Sequence, residues 1–175
     1  IFKVDGHSYA VIGAQRSDES GTVVLAKADN DTLTSWHYEG ELHFTDEKMG
    51  YMIECPNLVF IDNKPVLILC PQGLDKRICD YDNVFPNMYV VADEFNLDTP
   101  ELVNPSDLHR LDDGFEVYAT QAFNAPDGRV LASSWLGLPD LDVPSISLPD
   151  KWETLSVSCS RNFSLTSSRT KTHAK

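Results

Sequence analysis

Apolar residues in this chain fall in short runs separated by two-residue turn signals. Ile1-Phe2-Lys3-Val4 and Tyr9-Ala10-Val11-Ile12-Gly13-Ala14-Gln15 flank Asp5-Gly6, so the chain opens as a β-hairpin. The pattern recurs twice: Leu58-Val59-Phe60-Ile61, Asp62-Asn63 and Val66-Leu67-Ile68-Leu69, then Gln121-Ala122-Phe123, Asp127-Gly128 and Val130-Leu131-Ala132-Ser133. The turn aspartates stand at 5, 62 and 127, an internal repeat of irregular spacing. Val23-Val24-Leu25-Ala26-Lys27-Ala28 supplies a third strand after the first hairpin, and Trp36-His37-Tyr38-Glu39-Gly40 an edge-like fourth beyond Asp29-Asn30-Asp31. In the second unit Met88-Tyr89-Val90-Val91-Ala92 takes the third-strand place after a longer loop from Asp75 to Pro86. Repeated units of four antiparallel strands predict an all-β fold made of propeller blades. A β-sandwich would give similar strands but has no reason to repeat one hairpin-plus-two-strand unit.

Composition narrows the partners. With 14 Lys and Arg against 27 Asp and Glu, the net charge of -13 disfavours nucleic acid and fits a small neutral ligand, or a charged one reached through a local pocket. No run approaches the roughly 20 apolar residues of a membrane span, and no basic-then-apolar leader is present, so a soluble cytoplasmic protein without membrane contact is expected. Cys55, Cys70, Cys79 and Cys159 show no paired spacing, and the five His are scattered, so neither a metal site nor a cofactor is expected. Reduced thiols are the default reading.

One carboxylate stands out. Glu54 interrupts the apolar run Tyr51-Met52-Ile53-Glu54-Cys55-Pro56-Asn57-Leu58-Val59-Phe60. Partial desolvation between Ile53 and Cys55 would raise its pKa and suit it to donate a proton near neutral pH, as a general acid must. On charge and periodicity alone, a strand-end Glu facing water beside a Pro-induced turn is an equal reading. Cys55 reads as a buried, pocket-shaping thiol rather than a nucleophile, since no His stands near it in sequence. Asp29, Asp31, Asp80, Asp82, Asp140 and Asp142 read as turn residues.

Glu54-Cys55-Pro56, followed by a hydrophobic hairpin ending in Cys70-Pro71-Gln72-Gly73-Leu74, resembles the acid/base segment of the retaining β-fructosidases, glycoside hydrolase family 32. The second motif is most similar to the bacterial members that hydrolyse sucrose 6-phosphate, and the resemblance extends from Ile1 to about Leu155. It implies a partial five-bladed β-propeller of about three blades over residues 1–155, and Glu54 as the catalytic acid/base. Its substrate would be sucrose, sucrose 6-phosphate or a fructan. It further implies that Tyr118, Gln121 and Trp135 line the sugar site, by similarity to the family's Asp-x-Gly-Phe-Asp-Phe-Tyr-Ala-Pro-Gln and Gly-Trp-Met-Gly segments, with Cys55 shaping the same pocket beside the acid; from the residues alone Trp135 also reads as a core aromatic between blades. Glu116, Val117, Thr120 and Ser134 depart from those patterns. The acidic cluster Asp112, Asp113 and Glu116 reads equally as binding or as loop solvation.

Retaining glycosidases need two carboxylates about 5 to 5.5 Å apart. The family's nucleophile lies in Asn-Asp-Pro-Asn-Gly and a stabilising Asp in Arg-Asp-Pro; neither motif occurs in this sequence. The alignment implies that Ile1 follows directly on Arg-Asp-Pro, so that this chain alone is an inactive fragment. The other reading is a non-catalytic sugar-binding or interaction module that has lost its nucleophile. From Ser156 the chain turns rich in Ser and Thr, the last acidic residue being Glu153, and residues 156–175 are expected to be disordered or the product of a frameshift.

Overall fold

The computed structural model describes residues 1–113 and 117–135, with the backbone alone for Leu136, Arg161 and Asn162. Strands β1 (Phe2–Val4), β2 (His7–Gln15), β3 (Gly21–Ala28) and β4 (Trp36–Glu41) form one antiparallel sheet in chain order. The second sheet starts with β5 (Met52–Ile61), β6 (Lys64–Gln72) and β7 (Met88–Val91). After a hairpin of β8 (Glu94–Asn96) and β9 (Glu101–Val103), β10 (His109–Arg110) pairs with β7 as its fourth strand. The third sheet contains β11 (Val117–Asn124), β12 (Val130–Leu136) and β13 (Arg161–Asn162). This is an all-β, partial five-bladed β-propeller of about three blades; the repeat predicts the blades, and the family resemblance implies their number.

The repeated turns have a common cause in two of the three units. Asp5 (φ 49°) with Gly6 (φ 79°), and Asp62 (φ 51°) with Asn63 (φ 65°), place two consecutive residues at positive φ. That geometry matches the right-handed twist of the flanking strands and suits Asp, Asn and Gly. The third unit differs: its strands stop at Asn124 and resume at Val130, leaving a five-residue loop closed by Ala125 N–H donating to the Arg129 carbonyl at 2.7 Å. Pro126 has no N–H to donate to a ladder, which accounts for the longer connection.

Blade 2 is packed on both faces. Ile53, Leu58, Leu67, Leu69, Met88 and Val90 join Val23, Leu42 and Phe44 in a core shared with blade 1, whereas Val59, Ile61, Val66 and Ile68 join Val130 of blade 3. Residues of opposite parity along β6 thus enter different cores, so the strand reads as an unbroken apolar run. The first strands of the three blades lie together, with Phe2, Phe60 and Phe123 lining one cavity.

The β8–β9 hairpin was not expected from sequence. His43 N–H donates to the Pro100 carbonyl at 2.9 Å and Leu102 N–H to the His43 carbonyl at 2.8 Å, so this insertion of blade 2 grips the segment that follows β4. Phe95 meets Phe2 edge-on at 5.8 Å. Of residues 156–175, only Arg161 and Asn162 are described; they pair with Ala132 and Leu131. The rest of that segment, and residues 137–155 with Asp140, Asp142 and the end of the 1–155 unit, lie outside the described residues.

Blade contact leaves no space at Gly13, where an added Cβ would stand 2.0 Å from the Ile53 carbonyl oxygen. Gly128, at φ 85°, would meet nothing within 4 Å. Gly13→Ala should therefore force blades 1 and 2 apart and cost upwards of about 3 kcal/mol, while Gly128→Ala should cost only backbone strain of about 1–2 kcal/mol. Urea unfolding of the two variants checks the ranking, and equal losses would contradict it.

Candidate active site

The site is built on two matching irregularities. Across the β5–β6 ladder Glu54 faces Cys70 and Asn57 faces Ile68, so β5 carries one residue more than its partner between these pairs. Cys55 takes φ 47° and Pro56 cannot donate to the ladder, and together they make a β-bulge. The bulge resets the alternation of side chains. Without it Glu54 and Leu58 would share a face; with it Ile53 and Leu58 both enter the blade 1 core while Glu54 is free to face blade 3. Strand β11 repeats the device: Tyr118 faces Trp135, Gln121 faces Ser133, and Ala119 takes φ 50°. Glu54 and Tyr118 thus hold equivalent positions in neighbouring blades, each just ahead of its bulge.

They meet directly. The Tyr118 hydroxyl donates to Glu54 Oε2 at 2.7 Å, and Gln72 Nε2 donates to the Tyr118 oxygen at 3.2 Å. Glu54 is half-buried and Tyr118 buried. Burial, and next the hydrogen bond to the Glu54 carboxylate, push the Tyr118 phenol well above its ordinary pKa, so it remains a proton donor to Glu54 at neutral pH. The loop ahead of β7 holds the start of β11: Asn83 Nδ2 donates to the Val117 carbonyl at 3.0 Å and the Phe85 ring lies 6.0 Å from that of Tyr118.

The thiols are not activated. Burial and then the neighbouring Glu54 charge raise the Cys55 pKa, partly offset by a hydrogen bond with Gln121; Cys70, fully buried, is pushed up to about 12 chiefly by burial. Cys55 is half-buried rather than buried, because the bulge tips it out of the ladder. The structure therefore brings Glu54, Cys55, Tyr118 and Gln121 together, with half-buried Trp135 opposite Tyr118 on β12. In the acidic cluster, Asp113 pairs with Arg110 at 3.0 Å, and Glu116 lies outside the described residues. Among the described residues no three His, Cys, Asp or Glu converge as metal ligands.

Sequence reading missed the polar residues that support this pair. Gln72 sits in the Pro-Gln-Gly motif without having been assigned a contact. A chain of polar side chains, buried up to half-buried Ser134, links β6 to β12: Cys70 Sγ donates to Asn87 Oδ1 at 3.5 Å, Asn87 Nδ2 donates to Thr120 Oγ1 at 2.5 Å, and Thr120 Oγ1 lies 2.7 Å from Ser134 Oγ. Thr120 and Ser134, two departures from the family pattern, are hydrogen-bonded to each other. The only sequence signal for these residues is a polar side chain inside or beside an apolar run.

Residues 1–175 match the family model described as glycosyl hydrolases family 32 N-terminal domain. The chain belongs to glycosyl hydrolase family 32. It is 53% identical over 146 residues to a sucrose-6-phosphate hydrolase of Lactococcus lactis, covering 83% of this chain and 31% of that protein. With the Streptococcus mutans sucrose-6-phosphate hydrolase it shares 54% over 147 residues, 84% of this chain and 31% of the relative. The solved sucrose-6-phosphate hydrolase of Lactobacillus gasseri superimposes with a TM-score of 0.75 at 53% identity, over 82% of this chain and 29% of that one. A family 32 β-fructofuranosidase of Bombyx mori, solved as a variant in complex with sucrose, gives a TM-score of 0.70 at 30% identity over 80% of this chain and 29% of its own. The chain thus spans about 30% of the length of the curated family relatives it matches.

The raised phenol carries a stability signature. Because the folded pKa of Tyr118 lies above the unfolded one, its contribution is complete below about pH 10 and fades as pH rises further. The difference in unfolding free energy between wild type and Tyr118→Phe should be flat from neutral pH to about pH 9 and shrink above about pH 10. In a Glu54→Gln background the neutral-pH difference should be smaller, since part of it is the bond to the carboxylate. A pH-independent difference, identical in both backgrounds, would contradict the pairing.

Proposed function

We propose that the protein containing this chain is a retaining β-fructofuranosidase hydrolysing sucrose or sucrose 6-phosphate, with Glu54 as its general acid/base. One observation carries this reading: a half-buried carboxylate just ahead of a β-bulge, held through Oε2 by the 2.7 Å hydrogen bond from Tyr118. That bond occupies one carboxyl oxygen and leaves Oε1 as the atom able to carry and deliver a proton. The sucrose-6-phosphate hydrolases at 53–54% identity and the sucrose complex of the Bombyx mori enzyme support the substrate class.

In the first step Glu54 protonates the glycosidic oxygen as its bond to the anomeric carbon of fructose breaks. A second carboxylate of the complete protein, acting as nucleophile, takes the carbon and forms the covalent fructosyl intermediate. In the second step Glu54, now a carboxylate, accepts a proton from the water that attacks that carbon, and fructose leaves with the nucleophile restored. Tyr118 acts on Glu54 and not only on sugar. Cys55, Gln121 and Trp135 are assigned to the walls of the sugar site, and the neutral thiol of Cys55 suits a wall better than a nucleophile. Cytoplasmic action on a small sugar agrees with the acidic composition, and among the described residues no helix is long and apolar enough to cross a membrane.

The decisive test is Glu54→Gln in the full-length protein. The amide keeps the shape but cannot donate a proton, so sucrose hydrolysis should fall by about 10²- to 10⁴-fold, with KM little changed. Formation of the fructosyl intermediate from an aryl fructoside with a good leaving group should be hurt far less. Sucrose turnover near the wild-type rate would end the assignment.

A further inference from the structure

We propose that Asn57 is a positioning residue for the Glu54–Tyr118 pair, a single side chain that fixes both bulges; the inference rests on the reading of Glu54 as the acid/base. Asn57 stands one residue beyond the bulge of β5, 9% exposed, at the interface with blade 3. Its Nδ2 donates to the Cys55 carbonyl at 2.8 Å and to the Thr120 carbonyl at 2.7 Å, and its Oδ1 accepts the Ala122 N–H at 3.0 Å. Both amide hydrogens and the amide oxygen are therefore engaged.

The partners are telling. A β-bulge takes backbone groups out of the ladder, and a buried carbonyl without a donor costs about 1–3 kcal/mol. Cys55 is the positive-φ residue of the first bulge, and Thr120 follows the positive-φ Ala119 of the second. Asn57 thus supplies a donor to a carbonyl in each irregularity, and it bridges them across the blade boundary. Glu54 immediately precedes one bulge and Tyr118 the other, so the distance between those side chains depends on how the two bulges are held relative to each other. A shift of about 1 Å in such an arrangement can lower the rate about 100-fold.

The same two strands carry a second amide that serves as an internal control. Asn124 Oδ1 accepts the Phe60 N–H at 2.9 Å and Asn124 Nδ2 donates to the Phe60 carbonyl at 2.6 Å. It joins β5 to β11 as Asn57 does, but six residues along β5 from Glu54 and at neither bulge.

The experiment compares Asn57→Ala, Asn57→Asp, Asn124→Ala and Glu54→Gln in the full-length protein. Each is assayed on sucrose and on 4-nitrophenyl β-fructofuranoside, whose leaving group needs little protonation, and each is melted thermally. Asn57→Ala should lower kcat/KM on sucrose, which reports the first step alone, by about 10- to 100-fold, and should lower kcat/KM on the aryl fructoside clearly less. Asn57→Asp keeps an acceptor for the Ala122 N–H but sets a carboxylate oxygen against both carbonyls, so it should show the same selectivity at least as strongly; if one of the two variants does not fold, the other decides the matter. Asn124→Ala should lower the melting temperature while leaving the sucrose-to-aryl ratio at its wild-type value. Equal losses on both substrates in the Asn57 variants, or a ratio moved as far by Asn124→Ala, would reduce Asn57 to a structural clamp and overturn the proposal. If Glu54→Gln itself leaves the ratio unchanged, the acid/base reading fails, and that failure is separate from the one tested at Asn57.

Discussion

A strand buried on both faces has no side on which a carboxylate can rest without cost, and the structure depends on how β5 escapes that constraint. Ile53 must enter the core with blade 1, and so must Leu58, yet strict alternation cannot send residues of opposite parity to one face. The extra residue at Cys55-Pro56 reconciles them, and the same step frees Glu54 to turn toward blade 3. Packing and chemistry are thus settled by one local change of register. The same residue count that completes a hydrophobic core also brings a titratable group beside a phenol.

The repeat of this device in β11 shows why the pair meets at all. Glu54 and Tyr118 occupy one structural coordinate in successive blades, and neighbouring blades bring equivalent coordinates close together. A propeller of nearly identical units can hold different side chains at that coordinate without altering its backbone. Chemical diversity then arises from substitution at a fixed place, with Gln72 and the Cys70–Asn87–Thr120–Ser134 chain supplying the polar support.

Much of this was legible in the sequence, and what was not has physical reasons. Asp5-Gly6 and Asp62-Asn63 announce their turns because positive φ at two successive positions restricts the residue types that fit. Asp127-Gly128 carries the same residue signal yet sits in a five-residue loop, since the flanking Pro126 changes the closure. Glu54 was visible as a charge in an apolar run, and Tyr118 and Gln121 through resemblance to a family segment. Asn57 was in plain view three residues after Glu54 and went unassigned, because its value lies in joining the nearby Cys55 carbonyl to that of Thr120, 63 residues away. The β8–β9 hairpin escaped for a related reason: Glu94-Phe95-Asn96 and Glu101-Leu102-Val103 are too short for a periodic signal, and contacts distant in sequence, with His43 and Phe2, give them a role.

That hairpin bears on how the domain comes apart. Blades 1 and 2 share a large apolar core and are latched by backbone bonds at His43, whereas Asn57 and Asn124 join blade 3 to blade 2 through side-chain amides, over the smaller cluster of Val59, Ile61, Val66, Ile68 and Val130. Cooperative units follow such differences in buried contact. Blades 1 and 2 should therefore protect their amide hydrogens as one foldon, and blade 3 should open first. The seam between those units passes between Glu54 and Tyr118, so a subglobal fluctuation that opens it also parts the two groups of the candidate site.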